Sequence, residues 1–166
     1  MVSGGWPNRR VALVAIASLP AACNNASGGS SSAPSAPSDG ARADVTAVAA
    51  HGTAGDLTFD VTVASPDTGC DRYADWWEVV SPEGALLYRR ILAHSHVDEQ
   101  PFTRSGGPVK ISRDDTVLVR AHLSLGGYGR ALRGSASAGF SAADDLPADF
   151  AAALAEAAPR PDGCAF

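Results

Sequence analysis

This chain of 166 residues is short of several things, and each shortage removes a class of function. It has no apolar run of the roughly 18 residues that a membrane-spanning helix requires. It has no basic cluster: Lys110 is its single lysine and its arginines are scattered, so the phosphate neutralisation behind nucleic-acid binding is missing. It has one methionine, Met1, which leaves no thioether for a Met-rich Cu(I) site. It lacks H-E-x-x-H, the phosphate-binding P-loop and G-x-S-x-G, and the run Gly134-Ser135-Ala136-Ser137-Ala138-Gly139 misses the last by one residue. With no such motif, catalysis finds little support.

What is present begins with an export signal. Arg9 and Arg10 precede the apolar run Val11 to Leu19, too short to span a bilayer but long enough for the core of a signal peptide, and Pro20-Ala21-Ala22-Cys23 follows. Residues 1–22 are read as the signal. The junction resembles the lipobox of bacterial lipoproteins, in which a Cys after small residues becomes the acylated N-terminus. It departs from that pattern at Pro20, where an aliphatic residue is preferred. Cleavage at an ordinary small-residue site is the competing reading, and Arg9-Arg10 resembles a twin-arginine signal only loosely. Lipidation at Cys23 is expected, with the membrane reached through that lipid. The net charge is −5; without Arg9 and Arg10, 11 of the 13 basic residues face 18 acidic ones, giving −7, which also argues against peripheral binding to anionic lipid.

Three cysteines then divide. If lipid consumes Cys23, Cys70 and Cys164 remain as an even pair in an oxidising compartment, and a disulfide between them is expected over two free thiols or a metal site. Residues 23–42 form a spacer, because Asn24 to Asp39 holds no large apolar residue and cannot offset its ordering entropy.

Residues 43–166 read as one all-β domain. Leu57-Thr58-Phe59-Asp60-Val61-Thr62-Val63 alternates strictly, and a strand near Val45 to Ala50 precedes it. Trp76 to Val80 turns through Ser81-Pro82-Glu83-Gly84 into Leu86 to Leu92, a hairpin on a type I turn. Val109 with Ile111, Thr116 to Leu123, and Arg130 to Ala138 mark further strands. About seven short strands predict an antiparallel β-sandwich of immunoglobulin or fibronectin III-like architecture, with Trp77 in its core. Pro147 to Ala157 is rich in helix formers, which predicts a short C-terminal helix whose end Cys164 holds.

Candidate sites are few. In extended chain, His94 and His96 point the same way and both imidazoles can meet one metal, Zn(II) or Cu(II), if His122 or His51 comes near. The bland alternative is an exposed H-x-H that binds nothing. Asp67, Asp71 and Asp75 make a turn dense enough in carboxylates to hold calcium, but their spacing matches no established calcium loop, and Asp is common in turns for local hydrogen bonding alone. Alternation that buries Trp77 sends Trp76 outward, where with Tyr73 it would stack on a sugar or anchor a partner; both packing under loops is the other reading.

The stretch from Asp67 to Gly129 is similar to a group of uncharacterised bacterial secreted proteins. The similarity rests on Asp67-Thr68-Gly69, Tyr73-Ala74-Asp75, Trp77, Pro82 with Gly84, His94, His96, Glu99-Gln100-Pro101-Phe102-Thr103-Arg104-Ser105 and Gly127-Tyr128-Gly129. The chain departs from the group at Cys70, where an aromatic stands, and at Gly126, where a His stands. The resemblance implies a domain without assigned activity, and it makes His94 to Ser105 a defined element. The expectation is therefore an exported, lipid-anchored domain at the cell envelope that binds an envelope protein or a small ligand through His94, His96, Glu99 and Arg104, with Tyr73 and Trp76 beside them. A metal-binding domain using His94, His96 and His122 is the alternative.

Overall fold

The computed structural model describes residues 42–165; the signal segment, Cys23 and all of the spacer except Arg42 lie outside them. Nine strands are described: β1 Asp44–Thr53, β2 Asp56–Ala64, β3 Ala74–Val80, β4 Leu86–Ile91, β5 Phe102–Val109, β6 Val117–Leu123, β7 Gly127–Tyr128, β8 Leu132–Ser135 and β9 Gly139–Ala142. They form two sheets in the orders β1-β2-β5 and β4-β3-β6-β8-β9, with β7 paired to β6, and every pairing between them is antiparallel. The expected all-β sandwich is what forms.

The core follows from alternation. Leu57, Phe59, Val61 and Val63 are all fully buried on one face of β2, as their spacing predicts. They pack on the inner face of the larger sheet, where Trp77, Val79, Val117, Val119, Ala121 and Leu123 meet them. Burying each such side chain contributes about 1.5–3 kcal/mol. Trp77 sits in the core, and the strand opposite must come close: a Cβ on Gly106 of β5 would lie 2.8 Å from the Trp77 ring and from the Tyr88 hydroxyl.

Three expectations need correction. The strand marked by Val109 and Ile111 begins earlier, at Phe102, and stops at Val109. Gly106-Gly107-Pro108 disguises it, yet β5 is an edge strand whose one neighbour is β2, so a proline there forfeits little ladder bonding. The segment Arg130 to Ala138 is not one strand, for β8 and β9 fold into a hairpin around residues 136–138. The C-terminal helix is a single 3-10 turn, Ala152–Glu156, preceded by turns, and Ala151 before it has φ 46°. That turn buries no residue of its own, so no apolar stripe drives a longer helix.

The C-terminal segment covers the outer face of the larger sheet, which changes what that sheet contains. All seven residues of β3 are buried, and six of the seven in β6. Leu118, Ala131 and Ala143 make a second, small core there with Leu146 and Phe150. The expected disulfide, Cys70–Cys164, ties down the far end of the segment, helped by an Ala165 N–H donating to the Ala93 carbonyl at 2.6 Å.

Candidate functional site

The His94 to Ser105 block is built around a buried aspartate. Asp67, in the β2–β3 connection, accepts from the Ala74 N–H at 2.9 Å, from the His96 N–H at 2.8 Å and from the Ser65 hydroxyl, and the Ser95 hydroxyl lies 3.5 Å away. Gln100 extends the join, accepting from the Ser65 N–H at 2.9 Å and donating to the His96 carbonyl at 3.0 Å. His96 is buried and stacks on Phe102, centroids 3.8 Å apart and planes 11° apart. Glu99 takes two hydrogen bonds from Arg104, at 3.1 and 2.7 Å, on the exposed side. This pairing holds the Glu99 carboxyl below its usual range, and the same contact raises Arg104. The structure thus gathers His94, His96, Glu99 and Arg104 into one loop and strand start, as a join between the two connections.

As a metal centre the block is incomplete. The His94 and His96 rings are 4.6 Å apart, but among the described residues no three His, Cys, Asp or Glu side chains converge on a point that holds an ion. His122 does not join them. Strand alternation does turn it away from the inner core, but there its Nδ1 lies 2.7 Å from Asp75 and its ring lies flat on Trp76, centroids 3.9 Å and planes 3° apart. His51 is exposed near Asp60, at 3.5 Å. The aspartates of the supposed calcium turn are separated by these roles as well: Asp67 serves the join, Asp75 serves His122, and Asp71 is exposed.

Trp76 is not an exposed platform. It is 2% exposed and Tyr73 is 5% exposed. The alternation argument fails for a physical reason: it assumes a wet outer face, and the C-terminal segment makes that face dry.

What lies beneath the segment was not anticipated. Glu78, in the middle of β3, is in register with Arg89 on β4 and with Arg120 on β6. Its carboxylate, fully buried, accepts from Arg89 at 2.8 and 2.6 Å and from Arg120 at 2.9 Å. The two arginines then donate outward to main-chain carbonyls of the segment: Arg89 to Leu154, Ala157 and Pro159, and Arg120 to Phe150 and Ala151. Arg89 lies 4.4 Å over Trp76, and Arg120 lies 3.5 Å over Tyr128. A carboxylate between two guanidiniums leaves one positive charge, and the carbonyl oxygens of an irregular segment absorb it. One signal was legible: Glu78, Arg89 and Arg120 each interrupt an apolar strand, which a buried charge does only when paired.

Beside this cluster opens a cleft of about 490 Å³. Arg120 and Tyr128 line it from the sheet, Arg130 from the β7–β8 connection, Arg42 and Asp44 from the start of the domain, and Asp144, Leu146 and Phe150 from the C-terminal segment. The Tyr128 hydroxyl is buried against the Glu78 carboxylate, though it makes no hydrogen bond of normal geometry among the described residues. Burial first, and the Glu78 carboxylate second, push its pKa up to about 12, so the phenol stays protonated. A smaller cleft of about 200 Å³ lies between His122, Asp75 and Ser124 and the segment at Glu156 and Arg160.

No protein-family model matches the chain, and no solved structure matches it significantly. Over 87 residues, 52% of its length, the chain is 44% identical to a protein of Halomicrobium mukohataei named "Putative lipoprotein". The match spans 41% of that relative, well under two thirds of its length.

Proposed function

We propose that the chain is a lipoprotein: exported, acylated at Cys23, and anchored at the cell envelope through that lipid, with the β-sandwich as a ligand- or partner-binding domain held off the membrane by the spacer. The carrying observation is the Cys70–Cys164 pairing, which accounts for two of three cysteines and leaves Cys23 for the acyl group. A disulfide of this kind fits an oxidising compartment outside the cytosol. The relative's name supports the same reading. One lipid chain alone gives marginal membrane binding, so a stable anchor needs a second chain or contact.

The test is lipid labelling of intact cells with an alkyne fatty acid, followed by mass spectrometry of the mature N-terminus. Label on the wild type, none on Cys23→Ser, and a shift of the variant out of the membrane fraction are expected. A mature chain that begins elsewhere and carries no lipid would overturn the reading. The alternative, Zn(II) or Cu(II) bound by His94 and His96, rests on the 4.6 Å ring separation. It requires one-to-one binding that disappears in a His94→Ala, His96→Ala double variant.

A further inference from the structure

We propose that the cleft between β7 and the C-terminal segment is a binding site for a small carboxylate with an apolar body, the carboxylate held by Arg42 and Arg130 and the body resting on Leu146 and Phe150. This deepens the reading of the domain as a binding module by naming the class of its ligand, and it rests on that reading.

Charge points to an anion. Arg89, Arg104, Arg120, Arg133 and Arg160 all pair with carboxylates within the domain. Arg42 and Arg130, on the cleft rim, have no carboxylate partner among the described residues. Among the described residues Arg42 makes one hydrogen bond, to the Tyr128 carbonyl at 3.3 Å, out of five guanidinium donors. Arg42, Arg130 and the one net positive charge of the Glu78 cluster outnumber Asp44 and Asp144 on this cleft, and the guanidinium fork matches a carboxylate two bonds at a time.

The rim is also built rigidly. Gly129 is pressed so close to the start of the domain that a Cβ there would lie 2.1 Å from the Ala43 carbonyl oxygen. Asp44 accepts from the Arg130 N–H at 2.7 Å, and the Val45 N–H donates to the Arg130 carbonyl at 3.0 Å. These contacts fix the backbone carrying Arg130 against the backbone carrying Arg42. They also occupy one oxygen of Asp44, which lessens its competition with an incoming anion. Gly127-Tyr128-Gly129 has no role in the inner core, and here it has one: it places the rim.

The cleft also has an apolar wall. Leu146 and Phe150, each half-buried, offer apolar area alongside. Asp144 on the same cleft disfavours a second negative charge on the ligand, so a monocarboxylate fits better than a dianion.

The probe is 3-phenylpropionate, with its amide as the neutral control, titrated into the full-length chain carrying Cys23→Ser while backbone amide resonances are followed. Saturable shifts centred on residues 128–132 are expected, with binding at least about tenfold weaker for the amide and for Arg130→Gln, the loss of one charge-assisted contact. Arg42→Gln should weaken binding in the same direction. Shifts of equal size from acid and amide, binding unchanged in both variants, shifts located elsewhere, or no saturation by about 10 mM would each overturn the proposal. Because Cys23→Ser takes the lipid out of this assay, its failure bears on the cleft alone, and failure of the lipid labelling bears on the anchor alone.

Discussion

His96 shows how much one buried side chain can reveal about conditions. Neither ring nitrogen has a hydrogen-bond partner in the described structure, and the nearest Asp67 oxygen is 3.9 Å from Nδ1, too far for a good bond. Burial lowers its pKa most, and Arg104 and then His94 lower it further; Asp67 and Glu99 pull it back only in part. The folded protein therefore holds His96 neutral where the unfolded chain, with its pKa near 6.5, already binds a proton. With more protons on the unfolded state, stability rises with pH through that window. The His96 contribution is complete above about pH 6.5 and is lost as pH falls from there toward the lowered folded value. Urea midpoints measured between about pH 7 and pH 5 should fall for the wild type and fall less for His96→Leu, which keeps an apolar surface on Phe102. Equal slopes for the two proteins would show that another group controls the window.

At the scale of the element, β3 and the C-terminal segment depend on each other. Glu78 is the center of that dependence, since it is the one carboxylate among the described residues that balances these two arginines, whose other hydrogen bonds go to main-chain carbonyls. Removing one member of a buried ion network leaves uncompensated charge, at a cost of about 3–5 kcal/mol. Glu78→Ala should lose that much by denaturant unfolding, and a loss under about 1 kcal/mol would mean water reaches the cluster freely. The same dependence explains what was and was not legible in the sequence. Strands that keep one face toward the inner core were readable from alternation, as β2 shows. Trp76 was misplaced because its outer face is covered by a segment with almost no regular structure, and periodicity carries no record of such a cover. The H-x-H block was legible as a defined element, but its ties to Asp67 run 28 and 29 residues back along the chain, to Ser95 and His96, and no local pattern encodes them. The cleft draws on the first and last parts of the domain and was invisible for the same reason.

For the molecule as a whole, the disulfide decides whether the C-terminal segment is a cover or a loose end. Cys70 and Cys164 are 94 residues apart, and closing a loop of about that length contributes about 4–5 kcal/mol in the chain-entropy view, an upper figure. Two outcomes of its removal are physically distinct. The segment packs at its start, through Leu146 and Phe150, while its 3-10 turn buries no residue and is held from within by the five carbonyls bound by Arg89 and Arg120. We expect the arginines to hold the middle of the segment while its end frays. In the Cys70→Ser, Cys164→Ser double variant, amide exchange should then rise sharply at residues 160–165 and only slightly at residues 76–80, while the urea midpoint falls. If exchange at residues 76–80 rises as much as at the terminus, the ion cluster cannot retain the cover without the covalent tie. The outer face of the sheet would then be dry only under oxidising conditions.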